Sequence, residues 1–445
     1  MGARELALLL RQRTVSAVEV TQAHIEQIIR LNPALNAIVT PTFDQAMKRA
    51  RELDATGVHQ GALHGIPVVH KDLFDTRGVR TTYGSRIYEN HVPDSDAPIV
   101  ELMEAAGAIS LGKTNTPEFG AGSQTFNAVF GATRNPHDLS KTCGGSSGGS
   151  AVALACGMAA LANGTDLGGS LRNPASFCGV VGMRPSAGLV PKRRSRASAF
   201  DLDVDGPMAR TVDDLTLLLS VIADPGSSVT SSHSNRKVVR VGWYQGLESM
   251  PFEHEVTRVF ETSQKTFVDM GCIVEAAQPD FQDADESFRT LRAWYAALNH
   301  AEHLTQYSGM MKETLAREVE RGMSLSAAHV AVAETQQAEL LRRTSQFFER
   351  FDVFVLPTVQ VLPFPVEQPY PTEINGRKLD SYIDWMRSCY FISATGHPAI
   401  SVPAGFSNSG LPVGIQMVGP HNGEKRLLEI ALAFEQAACV KHVRF

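Results

Sequence analysis

Six cysteines are scattered over 445 residues with no CxxC pair among them, so the chain carries neither a disulfide scaffold nor a cysteine-rich zinc module. So few thiols, so far apart, suit a reducing compartment. No stretch reaches the roughly 18 apolar residues that a membrane span needs; the longest comparable run, Ala151 to Ala162, is alanine-rich and contains Gly157. The apolar start Leu6 to Leu10 is too short for a signal-peptide core and lacks a small-residue cleavage site. No membrane association and a cytoplasmic location are therefore expected. An excess of positive charge is also missing: 41 basic against 47 acidic side chains leave a net charge of −6, which supplies no pull toward nucleic acid. Metal motifs are absent, since there is no HExxH and the pair His300 and His303 has no evident third ligand. A phosphate loop fails too, because Ser150 and Ala151 stand where Lys and Ser/Thr would have to follow Gly144 and Gly149. Neither a metal nor a cofactor is expected, and a small molecule is the partner class that remains.

What is present is an alternation of helix and strand in a composition of 43% hydrophobic and 20% charged residues, which excludes wholesale disorder. Residues 3 to 55 read as two helices with a turn at Asn32-Pro33. Ile66 to His70 is a short apolar run bounded by glycine, suiting a buried strand, and Ile99 to Ala106 followed by Ala108 to Leu111 reads helix then strand. The alanines of 151 to 162 favour a helix that Ser147 or Ser150 can cap and Gly164 can end. Asp224 to Asn235 reads as a linker. Residues 252 to 350 are mostly helical in pattern, after which Val353 to Leu356 and Ala399 to Val402 return to strand. Strands on both sides of the helical stretch favour one α/β domain with both ends feeding a single sheet.

Chemistry concentrates in two glycine-rich segments. Gly144-Gly145-Ser146-Ser147-Gly148-Gly149 matches GxSxG in two registers, yet a nucleophile elbow needs a strand running into the serine, and Asn135 to Thr142 is polar and turn-like. A serine used in another way still requires a base. Lys71 follows the apolar run Ile66 to Val69 directly, where loss of water would favour the neutral amine. The competing reading is a surface lysine paired with Asp72. In Gly164 to Ser170, the side-chain-free Gly168 and Gly169 let several backbone N–H groups point at one spot beside the Ser170 hydroxyl, as stabilising an oxyanion requires. A tight connection alone accounts for the same local pattern.

Taken together, these segments resemble the amidase signature family. The resemblance runs through Gly65-Ile66-Pro67 to Lys71-Asp72, Gly112-Lys113-Thr114-Asn115, Gly131 with Asn135-Pro136, and the two glycine-rich segments. It continues through Pro174 to Gly179, Gly206 to Val212, Gly396-His397-Pro398-Ala399 and Gly410 to Gln416. It implies a single large α/β/α domain whose mixed, twisted central sheet is covered by helices: N-terminal helices over 1–60, a signature core over 61–222, a variable helical region lining the substrate pocket over 236–350, and a C-terminal part over 351–445 that completes the sheet. It implies hydrolysis of a carboxylic amide through an acyl-enzyme, with Ser170 as nucleophile, Ser146 as a bridging serine after a cis peptide bond, and Lys71 as base. The same resemblance assigns the oxyanion hole to the backbone N–H groups of Leu167, Gly168, Gly169 and Ser170, gives Ser147, Asp166 and Arg172 supporting roles, and sets Gly122, Ser123, Gln124 and Thr125 beside the scissile group. Trp294, Tyr295, Tyr382 and Trp385 are candidate pocket walls. The partner is then a small-molecule amide, with homodimer formation left open. The alternative within the family is the amidase component of a glutamine-dependent tRNA amidotransferase. Two positions depart from the common pattern: Cys143 where many members have proline, read as a small buried loop residue, and Ser393 in place of asparagine.

Overall fold

Lys71 and Asp166 close two neighbouring parallel strands of one mixed, eleven-stranded sheet, and the strand order explains how they meet. In the computed structural model the strands are β1 (Ile38–Pro41), β2 (Pro67–Lys71), β3 (Ile109–Thr114), β4 (Leu161–Asp166), β5 (Val181–Arg184) and β6 (Val204–Ala209), then β7 (Arg240–Trp243), β8 (Ile273–Ala276), β9 (Val353–Pro357), β10 (Ala399–Phe406) and β11 (Pro412–Val418). They lie in the order β1-β3-β2-β4-β6-β5-β10-β11-β9-β7-β8. β2 runs parallel to β3 and β4, and β7 runs parallel to β8 and β9; the other pairs are antiparallel. The structure describes all residues except 57, 193–201, 225–237, 247–249, 308 and 441–444, so most of the linker read at Asp224 to Asn235 lies outside the described residues. Among the described residues no helix is long and apolar enough to cross a membrane.

Every residue of β2, β4, β5, β6, β9 and β11 is buried, the pattern of strands covered by helices on both faces. That is why Val68-Val69 and Val353 to Leu356 are unbroken apolar runs rather than alternating ones. The expectation that both chain ends feed one sheet is met at β5 and β10, where Ala399, Ile400 and Ser401 pair with Arg184, Met183 and Gly182.

Two local expectations are corrected. The first 56 residues hold three helices, Ala3–Arg11, Ala17–Leu35 and Phe43–Thr56, with β1 between the last two. Asn32-Pro33 is not a turn: Pro33 lies inside the second helix, in its last turn, where it removes one backbone hydrogen bond just before the helix ends. The chain turns at Asn36 instead, in the left-handed conformation with φ +53°, and the Asn32 side chain accepts from the N–H groups of Ala37 and Ile38. The alanine-rich helix is Gly148–Ala155, shorter than its composition suggests. Gly157, at φ +65°, lets the chain reverse, and Leu161 onward is β4, with Gly164 in mid-strand instead of at a helix end. Packing demands that glycine: a Cβ there would stand 2.5 Å from Ser147 Oγ and 2.7 Å from Leu171 Cδ2. Gly164→Ala is expected to cost about 1–3 kcal/mol through overpacking, seen as a lowered melting temperature.

The helical reading of 252 to 350 holds for His254–Asp269, Ala284–Gln306, Glu313–Met323 and Ala327–Arg350. It missed β8, an edge strand only partly buried, with Ile273 exposed and too little alternation to mark it.

Candidate active site

Because β2 and β4 are parallel neighbours, their C-terminal ends open at the same edge of the sheet. Lys71 ends β2 fully buried, with its Nζ 2.7 Å from Ser146 Oγ and 2.8 Å from Thr165 Oγ1. The surface-pair reading of Lys71 fails, since the Asp72 carboxylate accepts from the Thr82 hydroxyl and N–H. Burial pushes the Lys71 amine down to about 7, against the pull of the Asp203, Asp166 and Asp205 carboxylates. Near neutral pH a large share of Lys71 is therefore the free amine, able to accept a proton.

Ser146 arrives on the glycine-rich loop before helix Gly148–Ala155, and the Gly145–Ser146 peptide bond is cis. Gly145 fits beneath a neighbouring loop, where a Cβ would come within 3.0 Å of both Gln124 N and Thr125 Oγ1. The two serine loops are tied together directly: the Ser147 N–H donates to the Ser170 carbonyl at 3.1 Å. The Ser147 hydroxyl turns the other way, toward the Thr165 carbonyl at 3.4 Å.

Asp166 organises the turn that carries Ser170. Its buried carboxylate accepts from the N–H groups of Gly169 (2.9 Å) and Leu171 (3.1 Å) and from Arg172 Nε (3.0 Å) and Nη2 (2.8 Å). Burial alone would raise this carboxyl, but the Arg172 guanidinium outweighs it, with Arg184 adding to the effect, and holds it at about 2. Arg172 also donates to the carbonyl of Cys389 at 3.0 Å, to Gln416, and to the Ser393 hydroxyl at 2.7 Å. The departure at Ser393 thus supplies a hydrogen-bond partner to the turn.

The four-membered oxyanion assignment needs one correction. The Gly169 N–H is already engaged by Asp166, whereas those of Leu167, Gly168 and Ser170 make no hydrogen bond among the described residues. Leu167, Gly168 and Ser170 are also the members of this turn that line the adjoining cavity, together with Ser146 and Thr165. Gly169 faces away, with φ +116° and a hypothetical Cβ only 2.5 Å from Cys389 Cβ.

The cavity holds about 110 Å³, and its walls include Phe119, Phe288, Tyr295, Leu315 and Met386. Gly122 and Ser123 line it. Gln124 and Thr125 do not: Gln124 Nε2 donates to the Val366 carbonyl at 2.7 Å, and the Thr125 hydroxyl donates to the Gly144 carbonyl at 2.8 Å, so both brace the loop from behind. Of the four aromatic candidates only Tyr295 reaches this cavity. Trp385 is core, stacked on Phe177; Trp294 packs against the same cluster, and Tyr382 lies behind Arg292, accepting from it. Thr165, Phe288, Arg292, Glu318 and Met386 were missed. Only Thr165 lies inside a segment the sequence had singled out, Gly164 to Ser170, and its role emerges from its contact with Lys71 Nζ.

Other reactive groups are quiet. Burial pushes the Cys143 thiol up to about 12, in keeping with a small buried residue. Burial likewise takes His300 down to about 4; its ring packs on Phe119, and its Nδ1 is 3.3 Å from that of His303. No group of three His, Cys, Asp or Glu side chains able to hold a metal occurs among the described residues. A larger cavity of about 1040 Å³ beside the first two helices contains none of the serines or lysines above.

Known proteins resemble this chain along nearly its whole length. The family model described as Amidase matches residues 19–428. A glutamyl-tRNA(Gln) amidotransferase subunit from Caldanaerobacter subterraneus subsp. tengcongensis is 36% identical, over 97% of this chain and 95% of that protein. The acylamidase of Rhodococcus erythropolis is 31% identical, over 98% and 95%. Among solved structures, a bacterial aryl acylamidase of the amidase signature enzymes superposes with a TM-score of 0.89 at 26% identity, covering 98% of this chain and 96% of that one. The peptide amidase from Stenotrophomonas maltophilia gives 0.82 at 27% identity, covering 99% and 97%.

Proposed function

This chain belongs to the amidase family, and on that premise we propose that it hydrolyses a carboxylic amide through an acyl-enzyme on Ser170, with Ser146 and Lys71 moving the proton. The Ser170 hydroxyl attacks the amide carbonyl while Ser146 takes its proton and passes its own to neutral Lys71. The relay then reverses to protonate the departing ammonia or amine. Water, activated by the same pair, releases the acid. Charge on the carbonyl oxygen is received by the N–H groups of Leu167, Gly168 and Ser170, a type of interaction in which one donor is typically worth about 2.7–4 kcal/mol. Asp166 and Arg172 keep that turn in shape. The observation carrying the proposal is the buried, near-neutral Lys71 with Nζ 2.7 Å from Ser146 Oγ, in a site whose cavity also receives Ser170. Hydroxylamine added during turnover should divert the intermediate to a hydroxamate; amide hydrolysis without that product would overturn the acyl-enzyme.

The base must be unprotonated, so kcat/KM should climb as pH rises through about 7 and level off above it. A profile flat from acid to alkaline pH would contradict the role of Lys71. Thr165 offers a finer test. Its hydroxyl accepts from the charged ammonium, so Thr165→Val should disfavour the protonated form and move the rising limb to lower pH.

A second reading is favoured by the relatives named as subunits of glutamyl-tRNA(Gln) amidotransferase. There the same three side chains would liberate ammonia from glutamine for use by a complex. Glutaminase activity that appears only with a co-purified second protein would support it.

A further inference from the structure

Resting on the amidase reading above, we propose that this enzyme selects amides whose acyl part is apolar and uncharged, and that Glu318 enforces the choice by occupying Arg292 in the cavity wall.

The acyl group of a substrate must lie beside the turn that receives its carbonyl oxygen, and there the surroundings are apolar. A Cβ built on Gly168 would stand 3.0 Å from Phe288 Cζ and 3.5 Å from Met386 Cε. Rings and a flexible thioether so close to the reacting carbon reward burial of hydrocarbon. The charged side chains in the wall, among the described residues, are Arg292, Glu318 and Asp203, and each already has a counter-ion. Arg292 Nη1 lies 2.8 Å from Glu318 Oε1, its Nη2 donates to the Tyr382 hydroxyl, and its guanidinium sits 5.2 Å from the centre of the Tyr382 ring. Both partners of that pair are about nine-tenths buried. Asp203 is paired with Lys192, which also faces Asp205 at 3.6 Å. His300, also in the wall, is held neutral by its burial.

A substrate carboxylate would therefore enter a largely apolar cavity and find Arg292 taken, and displacing Glu318 would only transfer the uncompensated charge to another buried carboxylate. Glutamine carries the same kind of carboxylate and meets the same obstacle. Neutral alkyl and aryl amides meet no such obstacle.

The test compares kcat/KM for pentanamide and benzamide with that for 5-amino-5-oxopentanoate, which carries a terminal carboxylate, and for glutamine. The wild type should favour the neutral amides by at least about 100-fold, the scale expected when a buried charge goes unpaired. In Glu318→Gln the guanidinium loses its counter-charge, so this preference should shrink at least about tenfold, mainly through a lower KM for the carboxylate-bearing amide. Arg292→Met removes the cation and should leave that amide excluded. If the acidic substrate gains equally in Arg292→Met, loosened packing rather than charge is responsible and the proposal falls. Should Glu318→Gln fail to fold, the wild-type panel still decides. Wild-type enzyme that uses glutamine or the acidic amide as well as pentanamide overturns the proposal while leaving the Ser170 mechanism intact. If no amide is turned over and Ser170 is not labelled by a fluorophosphonate, the mechanism fails and takes this inference with it.

Discussion

Ser170→Ala should abolish amide turnover, lowering kcat by about a millionfold, the scale seen when a serine nucleophile is removed from its relay. The melting temperature should stay close to that of the unmodified protein. The reason for the contrast is local. Ser170 contributes its carbonyl to the tie with Ser147, and that bond survives in alanine, while the hydroxyl faces the cavity. What remains in the variant is the binding surface and the three N–H groups, enough for a trace of rate over water but not for an acyl-enzyme. Steady-state rates with mass spectrometry of the hydroxylamine-trapped mixture would decide it. If Ser170→Ala kept substantial activity and Ser146→Ala did not, the attacking oxygen would have to be reassigned to Ser146.

The largest expected effect on stability is that of Asp166→Asn. Asp166 is fully buried between Arg172 and Arg184, and it also fixes the N–H groups of Gly169 and Leu171. The amide can replace some hydrogen bonds but not the charge, leaving two buried guanidiniums without their carboxylate. Breaking such a pair from one side costs about 3–5 kcal/mol. The folded-state pKa is depressed to about 2, so this stabilisation is present above the unfolded-state value near 3.8 and is lost as pH falls toward 2. The gap between wild type and variant in urea denaturation should accordingly be widest at neutral pH and narrow between about pH 4 and 2. An equal gap at every pH would mean that shape, not charge, is what Asp166 contributes. Activity should fall with stability, because the Gly169 and Leu171 amides flank Ser170.

How far the sequence revealed this site depended on whether the determining forces were local. Lys71 was legible because the apolar run before it implies a strand whose last residue cannot reach water. Its neighbour Asp72 suggested a surface pair, and only the Thr82 contact removes that option. The glycines of the two rich segments were legible as a pattern, though their reasons are tertiary: at Gly148 a Cβ would meet Thr125 Oγ1 at 2.2 Å. Alanine content misjudged the end of helix Gly148–Ala155, since helix propensity says nothing of a vacant sheet position next to β2 that residues 161–166 fill. The number of amides at the Ser170 turn could be counted in the sequence; which of them Asp166 engages could not. Of the walls, the sequence pointed to Gly122, Ser123 and Tyr295 and left the rest unmarked. Phe288 and Arg292 stand on one helix, Glu318 on the next, and Met386 beyond both, with no spacing rule joining them.

The strand order has a meaning for how such an enzyme changes over generations. All strands from the first 209 residues occupy one side of the sheet and all later strands the other, joined through the single pairing of β5 with β10. Lys71, Ser146, Thr165, Asp166 and Ser170 belong to the earlier block, while Phe288, Arg292, Tyr295, Leu315, Glu318 and Met386 belong to the later one. The groups proposed to break the bond thus sit wholly in the earlier block, while the later block adds wall residues to Phe119, Gly122, Ser123 and Asp203 of the first. Mutation can alter the wall in the second block, one residue at a time, without touching the proposed proton relay of the first.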